Sequence, residues 1–180
     1  MAKDKDKQHA LARAAKLWRE SPPPRPQGTA TSPPSPPSEM EAKLYYAGLP
    51  SGPKLVARSS ITPWEPPTGP EEDRKHKGLR PVGSHAPRLK EVWGGEDSLG
   101  RKVYAFLDSK NVKWTSMDIV RIGYEGEYYA PVVLWIGVNP ESLSGEEGVE
   151  VVIKCREILE EFGITDVEVE IRESVVWPRW

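Results

Sequence analysis

The chain has 180 residues, 19 prolines and a single cysteine, with a formal net charge of −2, so one domain of ordinary size is possible and an intramolecular disulfide is not. Residues 1–88 carry 15 basic and 9 acidic side chains (+6) and 16 of the prolines, whereas 89–180 carry 10 and 18 (−8), an acidic balance that opposes binding to phosphate backbones. No apolar run approaches the ~18 residues of a membrane span, and no secretory signal opens the chain, so the expectation is an intracellular, cytoplasmic protein with no membrane or nucleic-acid partner.

Residues 1–20 read as an isolated basic helix or a disordered tail. Leu11, Ala14, Ala15 and Trp18 share one side, but a helix of that length is marginal in water. Residues 21–38, which begin Ser21-Pro22-Pro23-Pro24-Arg25-Pro26, have almost nothing apolar to bury and form a disordered Pro-rich linker. Residues 39–88 are apolar only in patches, among them Leu44-Tyr45-Tyr46, Leu55-Val56 and Ile61 with Trp64. They predict an irregular Pro-rich arm, with residues 54–58 as a short edge strand at most.

From 89 to 176 the pattern is that of a packed domain. Glu96-Asp97-Ser98 opens a helix whose Leu99, Val103, Phe106 and Leu107 form one stripe, ending near Ser109. Val112 to Tyr124 is extended, Gly126 supplies a turn, and Val132-Val133-Leu134-Trp135-Ile136 follows as the partner in a hairpin. That run is apolar at every position, which suits a central strand covered on both faces. Ser144 and Glu147 form a capping box for a helix from Gly145. Its stripe is Val152, Cys155, Leu159 and Phe162, with Gly163 as the terminator. Val167, Val169 and Ile171 then alternate with Glu168, Glu170 and Arg172 as a strand parallel to the apolar one. The fold class is α+β, a small two-layer sandwich with a helix-strand-strand-helix-strand core. If residues 54–58 add a first strand, it becomes ferredoxin-like. Residues 177–180 are a tail.

Chemistry is sparse. His9, His76 and His85 have no ligand at i+3 or i+4, so no metal ligand is assigned. Cys155 lies on the packed stripe and reads as a core residue rather than a nucleophile. The glycines match neither a dinucleotide fingerprint nor a phosphate loop. Glu146 and Glu147 occupy the positive end of their helix and would repel an anion there. No catalytic residue and no cofactor are assigned.

Four runs carry a resemblance: Tyr45-Tyr46-Ala47-Gly48-Leu49-Pro50, residues 114–123 from Trp114 to Gly123, Leu134-Trp135-Ile136-Gly137-Val138, and Glu170-Ile171-Arg172-Glu173-Ser174-Val175. Over about residues 44–176 the chain resembles the N-terminal domain of uncharacterised fungal proteins, chiefly of mushrooms, some of which continue into a trypsin-like region. The resemblance implies an accessory role. This chain departs from those longer members at Trp177-Pro178-Arg179-Trp180 and has no nucleophile motif, so no protease residue is carried over.

Two helices on one sheet face leave the other to be covered. Strand parity places Val133 and Trp135 there, beside Met117, Ile119 and Arg121 and rimmed by Glu168 and Glu170. Either the Trp64 arm or a protein partner is expected to meet this surface, so these five residues are the candidate partner-binding site. The function read from the sequence is a non-catalytic protein-interaction or accessory domain, whose partner is another protein or a missing C-terminal domain. The alternative is a small-molecule-binding or enzymatic α+β domain. Single-stranded RNA binding through strand aromatics ranks third, against the −8 balance.

Overall fold

The computed structural model describes residues 33–70 and 75–174. The 1–20 segment, the first part of the 21–38 linker and the 177–180 tail lie outside the described residues. Helix α1, Glu39–Leu44, begins where the Ser38 hydroxyl accepts the Glu41 N–H at 3.1 Å. Two short strands follow, β1 (Leu55–Arg58) and β2 (Lys77–Arg80), then helix α2 (Pro87–Trp93) with proline in its first turn. Helix α3, Leu99–Ser109, is capped by Ser98, which accepts the Arg101 N–H at 3.3 Å. Strands β3 (Trp114–Tyr124) and β4 (Val132–Val138) form the hairpin. Helix α4, Gly145–Glu161, carries the complete capping box of Ser144 and Glu147, and Gly163 follows it at φ +74°. Strand β5, Val167–Glu173, closes the described chain.

The five strands make one mixed sheet in the order β1-β5-β4-β3-β2. Only β4 and β5 are parallel. The α+β class is therefore as expected, but the ferredoxin-like alternative is not realised. Residues 55–58 do form a strand, yet it lies at the sheet edge outside β5, whereas a split β-α-β arrangement would insert it between β4 and β5. The 39–88 stretch, read as an irregular arm, contributes α1 and both edge strands. A four-residue strand with glycine at its second position, Lys77-Gly78-Leu79-Arg80, carries too little periodicity to be read from sequence.

One face of the sheet packs on the helices. Val132, Leu134, Ile136 and Val138 of β4 and Val167, Val169 and Ile171 of β5 meet Val103 and Leu107 of α3 and Val152, Cys155 and Leu159 of α4. The opposite, outer face holds a second and smaller cluster of Tyr46, Leu49, Leu55, Ile122, Val133 and Trp135. The register that decides this is Val120 opposite Val133 and Asp118 opposite Trp135. It sends Met117 and Ile119 to the helix side, where they pack against the main core, and so corrects their placement on the outer face. Arg121 shares that parity, and its Nε donates to the Ala130 carbonyl at 3.1 Å. A shift of one residue would have reversed all three.

Candidate functional site on the outer sheet face

The outer face is covered by the chain itself, though not by Trp64. Tyr45, Tyr46 and Leu49 leave the end of α1 as a strap across it, with Tyr46 only 1% exposed. The strap is pinned at β2, where the Lys77 N–H donates to the Ala47 carbonyl at 2.7 Å. Gly48 sits at φ +100°, and a Cβ there would lie 2.5 Å from that of His76, so the turn tolerates no side chain. Val133 and Trp135 thus occupy the predicted face but are buried beneath the strap.

The strap is clasped by a polar cluster that alternation along β5 does not reveal. Glu170 was expected at the rim of the face, yet it is only 4% exposed. Its two carboxyl oxygens accept the Tyr45 and Tyr46 hydroxyls, each at 2.7 Å. The Trp135 indole N–H donates to the Tyr46 hydroxyl at 3.0 Å, and the two rings meet edge to face at 5.6 Å. Beside this relay the Arg172 guanidinium lies 3.7 Å from the Trp135 ring centre and reaches Asp118 at 3.4 Å. Arg58 pairs with Glu41 at 2.8 Å and stands 5.6 Å from the Tyr45 ring. Glu168 is also largely buried, and the Ser59 hydroxyl donates to it at 2.7 Å.

Lys77 completes the cluster from β2. It is 8% exposed, and its amine lies 3.2 Å from the Tyr45 ring centre, 5.6 Å from that of Tyr124 and 5.7 Å from that of Tyr46. Burial pushes its pKa down to about 8, with Arg58 adding to the fall and Glu170 and Glu41 opposing it. Burial and the neighbouring Glu170 hold both strap tyrosines well above their ordinary value of 10. Cys155, on the opposite side of the sheet, is buried among apolar groups and pushed up to about 12.

These shifts predict a pH signature. The unfolded chain holds the Lys77 proton to about pH 10.5, the folded chain only to about 8. Burying the charge therefore weakens the fold below pH 8, and that penalty is relieved as pH rises from 8 to 10.5. Tyr45, Tyr46 and Cys155 have raised values and act the other way, since the stability they contribute is lost above about pH 9–10. The difference between wild type and Lys77→Met isolates the lysine. The wild type should gain on the order of 3 kcal/mol on the variant between pH 7 and 10.5, at about 1.4 kcal/mol per pKa unit, measured from urea midpoints. A difference that stays constant with pH would contradict this assignment.

A second feature lies at the other border of the sheet. Strand β3 has 11 residues, while its outer neighbour β2 has 4 and pairs only with Arg121 to Tyr124. The Ile122 N–H donates to the Pro131 carbonyl on the β4 side, so the backbone groups of Val120 and Asp118 also turn toward β4 and those of Met117 and Ile119 turn away. Among the described residues β2 pairs no further along β3 than Arg121, and no loop or turn backbone bonds the outward N–H and C=O groups of Met117 and Ile119. The sequence pointed to these two residues for their side chains, but it is their backbone that faces outward.

Among the described residues no group of three or more His, Cys, Asp or Glu is placed to hold a metal ion, and no helix is long and apolar enough to cross a membrane. Comparison with protein-family models, with curated proteins and with solved structures finds no match for this chain.

Proposed function

We propose that this is a protein-interaction domain that captures an extended segment of a partner protein by adding it as a strand alongside β3. The observation that carries this reading is the overhang of β3 beyond β2, which leaves the backbone groups of Met117 and Ile119 facing outward without partners among the described residues. Residues 115–120 offer roughly 20 Å of edge at 3.3–3.4 Å per residue, enough for a strand of five or six residues. An added strand would have Met117 and Ile119 flanking it on the helix side and Asp118 and Val120 on the outer side.

The edge favours a different chain over a second copy of this one. Antiparallel self-pairing that uses the outward groups of both Met117 and Ile119 sets each of them against the other, which brings Asp118 directly opposite Asp118. Like charges facing across a pair destabilise it. Asp118 pairs with Arg172 at 3.4 Å but stays half exposed, so a partner's lysine or arginine at that position would share its carboxylate rather than repel it. The same accessory role is what the resemblance of residues 44–176 to the N-terminal domain of the fungal proteins implies.

The test is a selection of short peptides against the folded chain. Ligands should be extended, with alternating apolar residues and a basic residue facing Asp118. Met117→Pro removes one outward donor at an edge position where proline is tolerated. It should abolish binding, whereas Met117→Ala, which loses the same packing against the core but keeps the donor, should still bind. Asp118→Lys should weaken the same ligands and leave the backbone edge intact. Ligands indifferent to both substitutions would overturn the proposal.

A further inference from the structure

We propose that the rings of Tyr45, Tyr46 and Tyr124, together with Glu170, form a binding site for a methylated ammonium group, and that Lys77 fills it when no ligand is bound. Three aromatic faces and a carboxylate converging on one point are the chemistry that recognises quaternary ammonium. The point is marked by the Lys77 amine, within 3.2 to 5.7 Å of all three ring centres. Glu170 accepts the hydroxyl hydrogens of two of these rings, which holds them in place and leaves their faces electron-rich.

A primary ammonium is a poor match for such a place. It carries three N–H donors, and Lys77 makes no hydrogen bond with its amine among the described residues, only ring contacts. A trimethylammonium group has no donor to leave unpaired and a weaker hydration shell to shed. Its charge also cannot be lost by deprotonation, the route burial favours for Lys77. Two adverse charges stand near the rings, and each already has a carboxylate partner: Arg58 pairs with Glu41 at 2.8 Å, and Lys75, 5.8 Å from the Tyr124 ring centre, pairs with Glu127 at 2.8 Å. Lys77 lies in an edge strand on a flexible four-carbon stem, so the side chain can leave without disturbing the sheet. This site is independent of strand addition at β3.

The full chain would be titrated with choline, with a peptide containing trimethyllysine, and with 3,3-dimethyl-1-butanol, the uncharged isostere of choline. The Trp135 indole N–H resonance is the reporter, because that group bonds the Tyr46 hydroxyl. The two cations should shift it and the alcohol should not. Binding of the peptide alone would identify a protein as the source of the group, and equal binding of choline a free small molecule. Lys77→Ala removes the competing occupant and should tighten binding about tenfold or more, because affinity is reduced by the fraction of protein in which the site is closed. Tyr45→Leu should abolish it. If Lys77→Ala is unstable, choline but not the alcohol should raise its thermal midpoint. Absence of a cation-specific response in both wild type and Lys77→Ala, or equal binding of the alcohol, would overturn the proposal.

Discussion

Glu170→Ala should lower the stability of the domain by about 3–5 kcal/mol, the range for breaking a buried charged cluster by removing one partner. The side chain is 4% exposed and accepts both strap tyrosines. Its loss leaves the buried Tyr46 hydroxyl and the partly buried Tyr45 hydroxyl without this acceptor, and the Lys77 ammonium without the carboxylate that opposes its desolvation. Glu170→Gln keeps the volume and one carbonyl acceptor, so it should cost less than the alanine variant. Urea unfolding with an unchanged slope is the measurement. A loss below about 1 kcal/mol for the alanine variant, within the range of an ordinary surface pair, would mean that the strap is not held by this clasp.

Trp135→Ala is expected to be comparably damaging, about 3–5 kcal/mol for truncating a buried tryptophan. Three partners are lost at once: the Tyr46 ring at 5.6 Å, the Tyr46 hydroxyl that accepts the indole N–H, and the Arg172 guanidinium at 3.7 Å. From sequence alone the residue could equally serve another chain, in which case the isolated domain would keep its stability. Its burial beneath Tyr46 and Leu49 removes that ambiguity. Thermal unfolding of the variant within a degree or two of wild type would show that the strap does not stay closed over it.

The parts of this fold legible in the sequence are those set by local chemistry. Ser144 with Glu147, Ser98 and Gly163 bound their helices by hydrogen bonds and backbone conformations that span only a few residues. The alternation in β5 and the uniformly apolar β4 were equally readable, but a strand apolar on both faces does not itself say which set turns away from the helices, and the structure puts Val133 and Trp135 there. What could not be read is non-local. The pairing of Val120 with Val133 is a contact between strands, and it alone decides that Met117 and Ile119 turn to the helix side. The four-residue β2, and the position of β1 outside β5, depend on the rest of the sheet being present. Glu170 reads as a solvent-facing acid because its acceptors' partners, Tyr45 and Tyr46, are over 120 residues away in sequence. The available signal was two adjacent tyrosines after α1 with no assigned role.

Amide hydrogen exchange along β3 tests the central claim most directly, with and without a selected extended peptide. In the free protein the N–H groups of Met117 and Ile119 should exchange rapidly, while those of Val120 and Ile122, turned toward β4, are protected. Added peptide should slow Met117 and Ile119 and leave Val120 and Ile122 as they were. Strong protection of Met117 and Ile119 before any peptide is added, or a peptide that protects other amides and not these two, would contradict the account.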